Sequence, residues 1–182
     1  MKIRYAADLP YKNFFDKCTI DKINSNKKWN LYNLNTQNNS LFQFLSSRPT
    51  SHISGLTIPW IYIGMLFSTF CWHVEDLYLY SMSYLHYGKP KIWYSIPTSQ
   101  KEKLDELIKL KSKNLSLNDN DMIHRLILLI DPKELLENGI KVYKAVQNKG
   151  DIIVTFPKAY HCGFSTGFNI GEAVNFAVKI LI

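Results

Sequence analysis

Arginine is scarce in this chain, with three residues against nineteen lysines. A phosphate-reading surface usually recruits the planar guanidinium fork, so most of the formal +7 charge reads as surface solvation. Cysteine is equally sparse: Cys18, Cys71 and Cys162 lie far apart with no C-x-x-C pair. That spacing excludes a disulfide framework and a cysteine zinc site, and it suits a reducing compartment. Long apolar runs are missing too. The most apolar stretch, Leu56 to Trp72, is broken by a proline, a glycine and several hydroxyls before it meets His73-Val74-Glu75-Asp76. It is too short and too interrupted to span a bilayer. The opening MKIRYAADLP lacks the apolar core of a signal peptide. No internal repeat is visible. What remains is 182 residues, 46% apolar and 20% charged, enough to bury one core. A soluble, intracellular single domain is expected.

The texture changes along the chain. Residues 1–52 are mixed and polar, with turn material at Asp8-Leu9-Pro10, a basic pair at Lys27-Lys28 and an expected exposed loop from Leu34 to Ser40. Trp60–Phe67, Leu77–Tyr87 and Lys91–Ile96 are rich in aromatic and β-branched residues and read as strands. Residues 98–146 read as a helical insertion. Lys101–Lys111 sets Leu104, Leu107, Ile108 and Leu110 on one helical face, Met122–Leu129 suggests a second helix, and Asp131-Pro132 starts a third. Strand character returns at Ile152–Phe156, and Glu172–Ile182 fits strand or helix. Strands, then helices, then strands predict a mostly β fold with α insertions, a barrel or sandwich rather than a doubly wound sheet.

Five histidines are present. His52, His86 and His124 read as structural. His73 and His161 differ because of their neighbours. In extended chain, His73 and Glu75 point to the same side about 6.5–7 Å apart at Cα, close enough to converge on one cation. His161, 88 residues downstream after a second strand, is the natural third donor. Two imidazoles and one carboxylate on one face are the ligand set of non-haem ferrous oxygenases, and zinc accepts the same set for hydrolysis. Lys91 lies 18 residues after His73 at the start of the next strand. A desolvated ammonium there suits the distal carboxylate of a 2-oxo-diacid. On a regular strand, Ser81 and Ser83 share one face with Leu77, Leu79 and Leu85.

Two blocks, SGLTIPWIYIGMLFSTFCWHVEDLYLYSMSYLHYGKPKIWYSIP (54–97) and GDIIVTFPKAYHCGFSTGFNIGEAVNFA (150–177), strongly resemble the JmjC domain, and within it the JARID-type histone lysine demethylases. IRYAADL (3–9) and KWNLYNL (28–34) match weaker upstream motifs. The resemblance implies a single JmjC catalytic domain over 1–182, folded as a double-stranded β-helix of the jelly-roll or cupin kind. Its segments would be 1–52 (N-terminal), 53–97 (first iron motif), 98–146 (helical insertion) and 147–182 (second iron motif). It implies Fe(II) held by His73, Glu75 and His161. Lys91 and Tyr5 would hold 2-oxoglutarate, with Phe70, Ser81 and Ser83 lining its pocket. Tyr62 and Asn175 fall where the family contacts methyl-lysine. Ser83 departs from the family's Ser-x-Asn pattern, and a serine offers fewer hydrogen bonds than an amide. Ser165 departs similarly near the second histidine. Ala173-Val174 before Asn175 follows the JARID branch.

The activity so implied uses molecular oxygen and 2-oxoglutarate to hydroxylate an N-methyl carbon, after which formaldehyde leaves. The substrate implied is a methylated lysine of the histone three tail, in the nucleus. A basic chain acting on a basic tail is an awkward match, so the lysines are expected to stand away from the cleft, facing nucleosomal DNA. Two alternatives remain: a JmjC protein hydroxylase, for which H-x-D would be more usual than H-x-E, and a chromatin-binding domain with little or no turnover. Cys71 and Cys162 flank the two ligand histidines and read as apolar packing, with oxidation inactivating the enzyme if they lie near iron.

Overall fold

The computed structural model of the chain describes residues 2–10, 31, 53–114 and 129–178. Cys18, His52, His124, the Lys27-Lys28 pair and the expected loop at 34–40 lie outside the described residues, as do the helix expected over 122–129 apart from Leu129, which is not helical, and the KWNLYNL motif apart from Leu31.

Among the described residues, nine strands form two antiparallel sheets. They are β1 (Ala6–Pro10), β2 (Trp60–Gly64), β3 (Thr69–His73), β4 (Tyr80–Gly88), β5 (Lys91–Ser95), β6 (Tyr143–Gln147), β7 (Ile152–Thr155), β8 (His161–Ser165) and β9 (Asn169–Phe176). One sheet runs β1-β2-β9-β4-β7 and the other β3-β8-β5-β6. The inner faces of the two sheets meet, with Lys91 of β5 against the rings of Tyr5 and of Tyr62 on β2. This is the jelly-roll arrangement of a double-stranded β-helix, mostly β as expected.

The helical insertion is only partly helical. Helix α1 (Lys101–Asn114) and the short α2 (Pro132–Glu137) are as expected, and Asp131 caps α2 by accepting from the Lys133 amide at 2.8 Å. But β6 falls inside the same segment. Its run Tyr143-Lys144-Ala145-Val146 carries no alternation because it is a sheet-edge strand, exposed at four of its five positions. The polar N-terminus also hides a strand: β1 pairs with β2 across a register shift between Ala6 and Leu9. Asp8, read as turn material, is the left-handed residue at that irregularity, with φ 54°.

Leu104 and Ile108 of α1 are fully buried, and pack with Trp72, Ile96, Ile130, Leu135, Ile140, Tyr160 and Cys162 on the outer side of the four-stranded sheet. Leu110 is 61% exposed and does not share that face. Two residues past Ile108 is about 200° around a helix, so it points to solvent. The Trp72 indole donates to the Ile130 carbonyl at 2.9 Å, tying the insertion to the sheet. The five-stranded sheet carries its own clusters, Ile58 with Ile61 and Leu31 with Met82 and Val174. The C-terminal stretch is strand as far as Phe176.

Candidate metal centre

Register brings the metal candidates together. In the β3–β8 ladder His73 lies directly opposite His161, and their ring centroids are 4.2 Å apart. Glu75 sits just past β3 in extended backbone, φ −66° and ψ 148°. Its Oε1 is 3.3 Å from His161 Nε2 and 4.0 Å from His73 Nε2. One donor atom from each of the three lies within 4.8 Å of the others. Metal bonds of about 2.1 Å place neighbouring donors about 3 Å apart, so an ion fits with small adjustments.

The imidazoles are prepared for that role. His73 Nδ1 donates to the Cys71 carbonyl at 2.8 Å, and His161 Nδ1 to the Ala159 carbonyl at 3.0 Å. A carbonyl only accepts, so each ring carries its proton on Nδ1 and turns an Nε2 lone pair to the common point. Burial, and then the charge of His161, lowers the pKa of His73 and favours the neutral form a metal needs. For Glu75, burial raises the pKa, but the two imidazoles in their protonated forms, through the hydrogen bond and charge of His161 and the charge of His73, together with a hydrogen bond from Ser81, outweigh it and bring it down to about 2. The carboxylate is ionised at neutral pH.

The other predicted residues line the same inner space. Phe70 meets His73 edge-on at 6.3 Å and Trp93 at 4.6 Å. Its ring lies across Gly163, where a β-carbon would come within 2.5 Å of it. Lys91 is 4% exposed, and its Nζ lies 5.7 Å from the ring centres of both Tyr5 and Tyr62. Burial lowers its pKa to about 8. No carboxylate of the described residues pairs with it. Burial and then the Asp8 charge push the Tyr5 and Tyr62 phenols far above their ordinary range, so both stay neutral. Ser81 shares a hydrogen bond with Thr155 at 2.5 Å, and its register partner is Asn175. Ser83, opposite Ala173 and Ile153, continues the same face, and its carbonyl accepts from Gln147.

Three contributors went unnoticed in the sequence. Asp8 accepts from the Tyr62 hydroxyl at 2.9 Å and fixes that ring. Thr155 partners Ser81 only through the β4–β7 ladder, a pairing that leaves no local signal. Trp93 packs against Phe70 and lies 6.0 Å from His161. It stands two residues after Lys91, so strand alternation could have found it. His86 is structural as expected, bound to buried Glu172 at 2.6 Å. Lys101 and Lys158 stand 5.6 and 5.5 Å from the ring of Tyr78, three residues after Glu75. Lys101 is held there by Asp105 at 2.6 Å.

Residues 60–176 match the family model described as "JmjC domain, hydroxylase". The chain belongs to the JmjC family. It is 40% identical over 185 aligned residues to Lysine-specific demethylase 5D of Pan troglodytes and 39% identical to that of Homo sapiens. With Lysine-specific demethylase 5B of Gallus gallus it shares 42% identity over 184. Each alignment covers 96% of this chain but 12% of the relative, so this JmjC chain spans about an eighth of their length. The JARID-type resemblance stands on these alignments. Among the described residues, no helix is long and apolar enough to cross a membrane.

Proposed function

We propose that this chain is the catalytic domain of an Fe(II)- and 2-oxoglutarate-dependent histone lysine demethylase acting on a methylated tail of histone three in the nucleus. The observation that carries the reading is the combination of two imidazoles and one carboxylate at a common point with a buried ammonium in the same barrel that pairs with no carboxylate of the described residues. Iron with its cosubstrate supplies the oxidising power that hydroxylates the N-methyl carbon. The chain supplies the rest. His73, Glu75 and His161 would hold the ion through their Nε2 and carboxylate oxygen donors. The Lys91 ammonium offers the charge a distal carboxylate needs, and the neutral Tyr5 phenol stands beside it. Ser81 holds Glu75 in orientation through its hydroxyl. Tyr62, pinned by Asp8, presents a neutral aromatic face to a methylated ammonium, with Asn175 on the neighbouring strand. Phe70 and Trp93 keep the metal end dry, which strengthens each electrostatic contact there.

Mass spectrometry of a panel of methylated and unmethylated histone peptides, incubated with the chain, Fe(II), ascorbate and 2-oxoglutarate, tests the proposal. Stepwise loss of methyl groups with formaldehyde release is expected. Gain of one oxygen on an unmethylated side chain would make it a protein hydroxylase. Peptide binding without succinate formation would make it a reader. His73→Ala is expected to abolish succinate production while leaving the fold intact.

A further inference from the structure

Two thiols lie side by side on the reverse of the metal-binding strands. The β3–β8 ladder pairs Thr69 with Phe164 and Phe70 with Gly163, then resumes one residue displaced at His73 and His161. The shift leaves Cys71 and Trp72 together facing the single residue Cys162. Phe70 and His73 point into the barrel, where their rings meet. Trp72 and Cys162 point the other way, into the core beneath α1. Cys71 follows inward Phe70 in the pleat and so stands on the same outer side as Cys162. Residues facing one another across regular antiparallel strands have Cα atoms about 4.5–5.5 Å apart, and a bulge sets its two residues opposite one partner, so Cys71 and Cys162 are placed for the about 4.4–6.8 Å that a disulfide spans. Both cysteines are free, Cys162 buried and Cys71 half-buried.

We propose that Cys71 and Cys162 are a redox modification site, a dithiol that closes reversibly to a disulfide and thereby weakens the metal-binding face of the same two strands. The oxidant is hydrogen peroxide. The sulfur of Cys71, the more accessible, attacks the peroxide, the O–O bond breaks, and a sulfenic acid and one water form. The sulfur of Cys162 then attacks that of Cys71 and expels the hydroxyl as a second water. The two thiols lose two electrons and two protons, and the peroxide takes up both. A dithiol reductant reverses the bond by exchange.

The consequence for the metal follows from connectivity. The Cys71 carbonyl orients the His73 ring, and Cys162 is joined directly to His161. Drawing the two β-carbons to about 3.8 Å turns both peptide units. Disturbing such supporting contacts costs about 10–100-fold in metal affinity. This consequence rests on the metal reading of His73, Glu75 and His161, whereas the linkage itself does not.

The test uses the full chain, treated with hydrogen peroxide that is then removed. Non-reducing peptide mapping and manganese(II) titration are the two readouts, and neither needs turnover or a histone substrate. A Cys71–Cys162 linked peptide is expected, with manganese affinity lowered about tenfold or more and recovered with dithiothreitol. Cys71→Ser and Cys162→Ala are each expected to keep full affinity after peroxide. Cys71→Ser alone suffices if the buried change harms folding. A link to Cys18 instead, over-oxidation of Cys71 without a link, or a mapped link that leaves manganese affinity unchanged overturns the proposal.

Discussion

Replacing Lys91 by methionine is expected to make the domain more stable and unable to hold a dicarboxylate. Burial lowers the pKa of this lysine from 10.5 to about 8. Below pH 8 the folded protein keeps a desolvated ammonium, and at about 1.4 kcal/mol per pKa unit this costs about 3 kcal/mol. The cost is fully present below pH 8 and disappears as pH rises towards 10.5, where the unfolded chain also gives up the proton. Against it stand the Tyr5 and Tyr62 rings at 5.7 Å, which return about 1–2 kcal/mol through their π faces. Methionine has similar bulk and no charge, so the net gain is about 1–2 kcal/mol, or a Tm higher by about 3–6 °C for a domain of this size. Thermal unfolding at pH 7 with and without 2-oxoglutarate measures both halves. Wild type shifts with the diacid and the variant does not. A variant less stable than wild type would show that the ammonium is satisfied by a partner, and the reasoning would fail. The same logic gives a pH profile: affinity for the diacid falls as pH rises through about 8, because the free protein loses the proton that pairs with the carboxylate.

Three further outcomes are expected. Glu75 is held at about 2 against an ordinary 4.5, so its contribution to the metal-free fold is fully present above pH 4.5 and lost as pH falls towards 2. Glu75→Gln is therefore expected to flatten that acid limb in urea titrations between these values, and parallel profiles would contradict it. Gly163→Ala puts a methyl 2.2 Å from the Ile92 carbonyl and 2.5 Å from the Phe70 ring; a loss of about 1–3 kcal/mol in urea is expected, and an unchanged midpoint would mean the ring is not wedged there. Leu104→Ala is expected to cost about 2–5 kcal/mol, whereas Leu110→Ala changes stability by less than about 0.5 kcal/mol; equal effects would refute the assigned helix face.

What the sequence discloses and what it conceals divide along the range of the interaction. His73 and Glu75 are legible because extended chain turns residues two apart to one side, and Lys91 because it opens the following strand. Asp8 and Thr155 are not, since each meets its partner across a ladder, Asp8 with Tyr62 at a separation of 54 residues and Thr155 with Ser81 at 74. The strand β6 was hidden for a related reason: an edge strand has no buried face to impose alternation. His161 was legible as a candidate third donor from its place after a second strand, and the resemblance to a family strengthened its joining to the motif far upstream.

The bulge between Phe70 and His73 explains why that joining works in three dimensions. Strict alternation from Phe70 would send His73 to the outer face, towards α1, and Trp72 into the barrel. One extra residue in β3 reverses this: Phe70 and His73 both face inward, Trp72 fills the core beneath the helix, and His73 comes into register with His161. The large indole holds the inserted residue in place, since returning it to the inner face would expose the Leu104 and Ile108 pocket and strip its hydrogen bond to Ile130. Metal geometry on one side of the sheet is thus maintained by apolar packing on the other. It follows that Trp72→Ala, a change that touches no metal donor, lowers metal affinity as well as stability, and by more than Leu104→Ala at equal loss of stability. Manganese(II) titration of the two variants under conditions where both remain folded decides the matter, and equal affinities would leave the bulge held by the ladder alone.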